Sequence, residues 1–309
     1  MNDAPDPRTT AAIPGTERVD ESFADLDTWP LARSLEALVD GQRRAIEVLA
    51  AALPQLEAAA AGIEGRLAAG GRLVYAGAGT SGRLAVLDAA ELPPTFGFER
   101  TVVLMAGGAA AGTTAKEGAE DDEEDAVRRV AEAAVGPADA FIGIAASGGT
   151  PYTVAAVRAA RAAGAFTVGI ANVAEGPLLA AAEAPIALDT GPEVLAGSTR
   201  LAAGTAQKAA LNLLSTAVLV RLGGAYGNLM VGMKPANAKL RRRAVAMVAR
   251  AAAVDEATAA AALAAADHDV RVAVVVAKGG VDAARARAAL AAHGDRVRDA
   301  LAALAEGHR

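Results

Sequence analysis

The chain has 309 residues, enough to bury one full α/β core with helical additions, and a formal net charge of −6. That acidic balance gives nucleic-acid binding no support, and the absence of cysteine excludes disulfides, thiol catalysis and thiolate metal sites. Hydrophobic residues make up 53% but aromatics only 3%, which fits Ala-rich helices packed closely on a parallel sheet.

Residues 1–15 are polar and without periodicity, which reads as a disordered tail with no apolar secretory segment. From about 30 to 69, Leu35, Leu38, Ile46, Leu49, Leu53 and Leu56 recur at helical spacing and predict two helices. Strands then alternate with helices, as in βαβ units: strands at 72–76, 101–106, 140–145, 166–171 and 184–188, helices near 81–91, 121–135, 151–163 and 175–182. A long helix spans 200–221. Beyond Gly223-Gly224 the pattern changes to short helices at 240–251, 256–266, 282–290 and 295–304, with 270–276 carrying strand propensity. The divisions expected are a tail over 1–15, an α/β domain over 16–235 and a helical domain over 236–309. The longest uncharged stretch, 140–157, is broken by Gly, Ser, Thr and Pro, so no membrane span and a cytoplasmic protein are expected. Arg241-Arg242-Arg243 reads as a solvated helix face.

The strand at 72–76 runs into Gly77-Ala78-Gly79-Thr80-Ser81-Gly82 and then a helix. A strand, a Gly/Ser/Thr turn and a helix N-terminus aim backbone N–H groups, hydroxyls and a positive dipole at one point, which suits a phosphate. The same letters fit the dinucleotide fingerprint G-x-G-x-x-G. That reading needs an acid at the end of the second strand, where Gly107-Gly108 stand instead. Thr80, Ser81 and Gly82 are therefore placed on a sugar phosphate. An internal echo, FIGIAASGGTP at 141–151, repeats the strand, loop and helix, so Ser147, Gly148 and Thr150 form the second half of the anion site and Pro151 a first-turn residue. A third junction, GPEVLAGSTRLAAGTAQK at 191–208, brings Glu193, Ser198 and Thr199 toward the same crevice.

Two carboxylates suit acid/base work. Glu91 stands where the helix should stop before Pro93-Pro94, facing the negative end of the dipole, which disfavours its ionised form. The plain alternative is a surface residue ending a helix. The second locus is the acidic run 120–125; most of it reads as a solvated helix start, while Glu120 or Glu117 turns into the crevice. The run lacks the alternation of a calcium loop. His268, His293 and His308 lie in the helical part without ligand spacing, and no serine has a paired histidine near the glycine loops. Acid/base catalysis by carboxylates on a phosphorylated sugar remains.

The blocks GAGTSGRL (77–84), LDAAELPPTFG (87–97), KEGAED (116–121), IAASGGTPY (144–152), GSTRLAAGTAQK (197–208) and GNLMV (227–231) resemble the N-acetylmuramic acid 6-phosphate etherases of the sugar isomerase (SIS) superfamily. The similarity runs from about Thr16 to Leu301. It implies a parallel-sheet, flavodoxin-like three-layer SIS domain with N-terminal helices and a small C-terminal helical domain in which 270–276 is helical. It also implies cleavage of the D-lactyl ether at C3 of N-acetylmuramic acid 6-phosphate by elimination and water addition, giving N-acetylglucosamine 6-phosphate and D-lactate, with no cofactor or metal. Glu91 matches the family's acid for the leaving oxygen and Glu120 its second catalytic carboxylate. Asp20, Ala202 and Gly232 stand where the family usually has Asn, Lys and Asp. A sugar-phosphate isomerase using Glu193 as base, and a sugar-phosphate-sensing regulator without catalysis, are the alternatives. A homodimer is expected, with the apolar 30–69 region as its surface.

Overall fold

The computed structural model describes residues 15–114, 116–235 and 237–306. The tail expected over 1–15 lies outside them except for Gly15. Helices α1 (Leu31–Ala51) and α2 (Leu53–Ala68) lead into five strands and their crossovers: β1 (Leu73–Gly77), α3 (Gly79–Phe96), β2 (Thr101–Met105), α4 (Glu123–Glu132), β3 (Ala140–Ile144), α5 (Pro151–Ala162), β4 (Phe166–Ala171), α6 (Pro177–Ala181) and β5 (Ala184–Ala187). Then come α7 (Ala202–Leu219), α8 (Ala238–Ala252), α9 (Glu256–Ala265), α10 (Val270–Gly279), α11 (Ala283–Ala292) and α12 (Val297–Glu306). The predicted elements are all present, with ends shifted by a few residues.

All strand pairs are parallel and the order is β2-β1-β3-β4-β5. The chain reverses direction across the sheet between β1 and β3, so the loops after these two strands part and leave a crevice at their carboxyl ends. Register keeps the rim level: Gly77, last in β1, pairs with Met105 of β2 and Ile144 of β3. Side chains alternate across the sheet. Leu73, Tyr75, Ile142, Ile144, Val168 and Ile170 pack under α1, α2, α3 and α7; Val74, Ala76 and Phe141 pack under α4, α5 and α6. That makes three layers. A third apolar cluster, including Met247, Val248, Leu263, Val272 and Val274, lies among α8–α12.

Segment 270–276 is helical despite its β-branched residues. The Asp269 carboxylate accepts the Val272 N–H at 3.1 Å, capping the start, and Gly280 in the left-handed region ends the helix. Its valines are buried against neighbouring helices, and that burial outweighs propensity.

One expectation fails. Helix α3 does not stop before Pro93-Pro94 but carries both prolines and ends at Phe96. The backbone bonds they delete are those to the carbonyls of buried Ala89 and exposed Ala90, while buried Leu92 and half-buried Phe96 keep the last turn on the core. Gly97, at φ 67°, closes the helix by donating its N–H to Pro93 O at 3.0 Å.

Among the described residues no single helix is long and apolar enough to cross a membrane; only α1 and α2 taken together, across a 65° bend, match such a span in length and composition.

Candidate functional site

Only Ala78 separates β1 from α3. It offers no side-chain cap, so the first-turn N–H groups of Gly79, Thr80 and Ser81 point above the sheet without intrahelical partners. The second loop has the same form: Thr150 precedes α5 without a side-chain cap bond, and Pro151 occupies the first helical turn. Ser147 Oγ accepts the Gly149 N–H at 3.2 Å, which fixes the tip of that loop. The two loops and the start of α7 surround a cavity of about 1070 Å³. That is at the upper end of the volumes typical of small-molecule sites, roughly 300–1,000 Å³.

Thr80, Ser81, Ser147, Thr150 and Thr199 line this cavity, together with Glu120. Gly82 and Gly148 do not; they make the loops possible. A Cβ on Gly82 would stand 2.8 Å from Gly77 O and 3.2 Å from Met105 Cγ, so this glycine lets α3 approach the strands closely. Gly148 adopts φ 68°, and a Cβ there would meet Val173 at 2.9 Å. Gly149 takes its place in the lining.

The acidic run divides as its spacing suggests. Asp122 caps α4 by accepting the Asp125 N–H at 2.8 Å, and Asp125 bonds Arg128 and Arg129. Glu120 and Asp121 turn into the crevice, and Glu117 lines a smaller space next to it.

Three predicted residues are placed elsewhere. Glu193 is buried, and its two oxygens accept the Ala202 and Ala203 N–H groups, both at 2.9 Å, so it closes the start of α7 instead of facing the crevice. Ser198 lies in the turn before that helix, outside the lining. Glu91 is exposed on α3, about 16 Å of helix beyond Thr80, and does not line the cavity of its own chain. Because α3 runs on to Phe96, the dipole argument for Glu91 also falls.

The structure adds residues that the motifs did not single out. A short turn at Gly15–Glu17 lies over the loop after β5, where a methyl added to Gly15 would sit 3.3 Å from Asp189 Oδ1. Glu17, Arg18, Glu175 and Asp189 thereby join the lining. Asp189-Thr190-Gly191 follows the last strand of a parallel sheet, and its position there was the available signal. Five carboxylates and one guanidinium thus line the crevice among the described residues.

Below the site, Asp88 ties α3 to its neighbours. It accepts from Tyr75 Oη at 2.8 Å, Asn212 Nδ2 at 2.7 Å and Ser215 Oγ at 3.2 Å. Burial, with the Asp88 charge beside it, pushes the Tyr75 phenol well above its ordinary range.

A 2-1-3-4-5 parallel sheet with two uncapped Gly/Ser/Thr loops at its switch point defines a phosphosugar-binding α/β domain. Residues 56–161 match the family model described as the glucokinase regulatory protein N-terminal SIS domain. The N-acetylmuramic acid 6-phosphate etherase of Deinococcus radiodurans is 51% identical over 84% of this chain and 86% of its own length. The Streptomyces avermitilis protein of the same name is 46% identical over 84% of each chain. The chain belongs to the family of N-acetylmuramic acid 6-phosphate etherases.

Proposed function

We propose that the protein is a carbon–oxygen lyase that converts N-acetylmuramic acid 6-phosphate and water to N-acetylglucosamine 6-phosphate and D-lactate. The observation that carries the reading is the placement of Glu120 in the same crevice as the hydroxyls of Thr80, Ser81, Ser147 and Thr150. The uncapped starts of α3 and α5 hold the 6-phosphate. In the ring-opened sugar the C1 aldehyde acidifies the C2 proton, and Glu120 takes that proton as base. The C3–O bond then breaks, the lactate oxygen gains a proton, and water adds at C3 of the unsaturated aldehyde.

Glu91 is assigned as the acid for the lactate oxygen, acting in the crevice of a second copy. Its distance along α3 from its own phosphate loop exceeds the length of the sugar, and exposed Val86 and Leu87 precede it on the same helix. The working form is thus a homodimer. We assign the described residues from 16 to 235 to the sugar-phosphate domain and those from 237 to 306 to a helical domain, whose core also takes in Val231 and Met233. The setting is cytoplasmic amino-sugar recycling from peptidoglycan.

The test is turnover of N-acetylmuramic acid 6-phosphate in heavy-oxygen water. Equimolar D-lactate, with solvent oxygen at C3 of the product, is expected, and Glu120→Gln should lower the rate by at least about a hundredfold. An aldose–ketose change instead of lactate would make the protein an isomerase. Binding without turnover would make it a sensor.

A further inference from the structure

Beside the crevice, at Glu120, lies a smaller chamber of about 200 Å³. Ala78, Gly79 and Glu120 line both spaces, so the two adjoin at the phosphate loop and the Glu120 carboxylate. At about 30 Å³ per water it has room for a three-carbon acid. Its charge differs from that of the crevice. The chamber holds Arg83 and Lys116 against Glu117 and Glu120, whereas the crevice sets five carboxylates against Arg18.

The two cations differ in burial, Lys116 being exposed. Arg83 is half-buried and directly follows the phosphate loop on α3. The stem of Lys116 lies along Gly107 after β2: a Cβ on Gly107 would come within 3.1 Å of both Lys116 Cβ and Cδ. Only a bare glycine leaves that lane open. Neither cation enters a salt bridge among the described residues.

The substrate carries two anionic groups. Its phosphate is satisfied by the loops, but a carboxylate in the acidic crevice would meet like charge. We propose that the chamber is the subsite for the lactyl carboxylate, bound by Lys116 and Arg83. This rests on the etherase reading. With the phosphate on Thr80 and Ser81 and C2 before Glu120, the C3 substituent passes Glu120 into the chamber. There the two cations also offset negative charge that gathers on the lactate oxygen as the C3–O bond breaks.

The experiment compares N-acetylmuramic acid 6-phosphate with its lactyl carboxamide, which keeps the ether and the shape but loses the charge. The wild type should prefer the acid by about 10- to 100-fold in kcat/KM, the worth of a charge-assisted contact. Lys116→Met and Arg83→Met should each lower kcat/KM for the acid about tenfold or more, change the amide far less, and together abolish the preference. Affinity for N-acetylglucosamine 6-phosphate, which lacks the lactyl group, should stay near that of the wild type and reports that the loops are folded. Equal losses on both substrates, or no loss on the acid, would overturn the subsite while leaving the etherase reading standing. Failure of the wild type to cleave either substrate would remove that reading and the subsite with it.

Discussion

At the scale of single residues, Asp88 shows what lay beyond the sequence. It stands one turn before Glu91 in LDAAE, yet it is buried and accepts three hydrogen bonds, all from uncharged donors. Two donors, Asn212 and Ser215, are 124 and 127 residues away, so nothing local marks it as an anchor. The motif drew attention to Glu91, which is exposed; the buried carboxylate was passed over. The placement of Thr80, Ser81, Ser147 and Thr150 on the cavity wall was legible because a βα junction at a switch point has few options for Gly, Ser and Thr. Glu193 was misplaced because an acid before a helix reads equally as ligand contact or cap, and the backbone N–H groups of α7 claim it. Asp88→Ala strands two buried donors and the half-buried Asn212 amide, at about 1–3 kcal/mol for each buried donor when unsatisfied, and partial relaxation leaves an expected loss of about 3 kcal/mol. Tyr75→Phe removes one donor and should cost about 1 kcal/mol. Urea unfolding of both variants checks this. A loss for Asp88→Ala below that of Tyr75→Phe would mean the network does not anchor α3.

Among elements, the sheet was read correctly because uninterrupted apolar runs between glycine turns fix buried parallel strands, and Gly77, Gly107 and Gly149 mark their exits. Helix α3 was read too short because the rule that proline ends a helix is local. Leu92 and Phe96 pack on the core beyond the prolines, and that packing outweighs the lost bonds. The opposite end of the sheet is clamped by charge. Arg72, before β1, donates Nε and its backbone N–H to Asp139 Oδ1 at 3.0 and 3.2 Å, and a guanidinium nitrogen to Oδ2 at 2.7 Å. Gly136 N–H adds a bond of 3.0 Å to Oδ2. Burial alone would raise the Asp139 pKa, but these bonds outweigh it and hold the carboxyl below its usual range. A depressed folded-state value stabilises the protein above the unfolded carboxyl's range, near pH 4, and the contribution is lost as pH falls through the folded value. Asp139→Asn should therefore cost about 2 kcal/mol at pH 7, and the gap to wild type should narrow below about pH 4. Denaturant titrations at pH 7, 5 and 3 read this directly. A gap independent of pH would show that shape, not charge, makes the clamp.

The molecule as a whole presents an outer layer that its own chain leaves uncovered. Helix α7 is bonded to α1 through Thr205 and Gln42 and to α3 through Asn212 and Asp88. On α1, Leu31, Leu35 and Val39 recur every fourth residue and are 75%, 53% and 48% exposed, while Gly41, Ala45 and Leu49 face inward. On α3, Val86 and Leu87 are also exposed, one turn before Glu91. Exposed apolar residues on α1 and α3, which both pack on α7, suit the homodimer proposed above, and a second copy packed there by a two-fold would close without leaving a free edge. In the homodimer proposed above, each copy would supply Glu91 as the acid to the other's crevice. Complementation follows. Glu120→Gln and Glu91→Gln should each be nearly inactive alone. In an equimolar mixture that has exchanged subunits, half the dimers are mixed, and each mixed dimer holds one crevice with both native carboxylates. Activity should then return to about a quarter of the wild-type value, as random two-fold pairing requires. If Glu91 instead served its own crevice, every site in the mixture would still lack one carboxylate, and mixing would restore nothing.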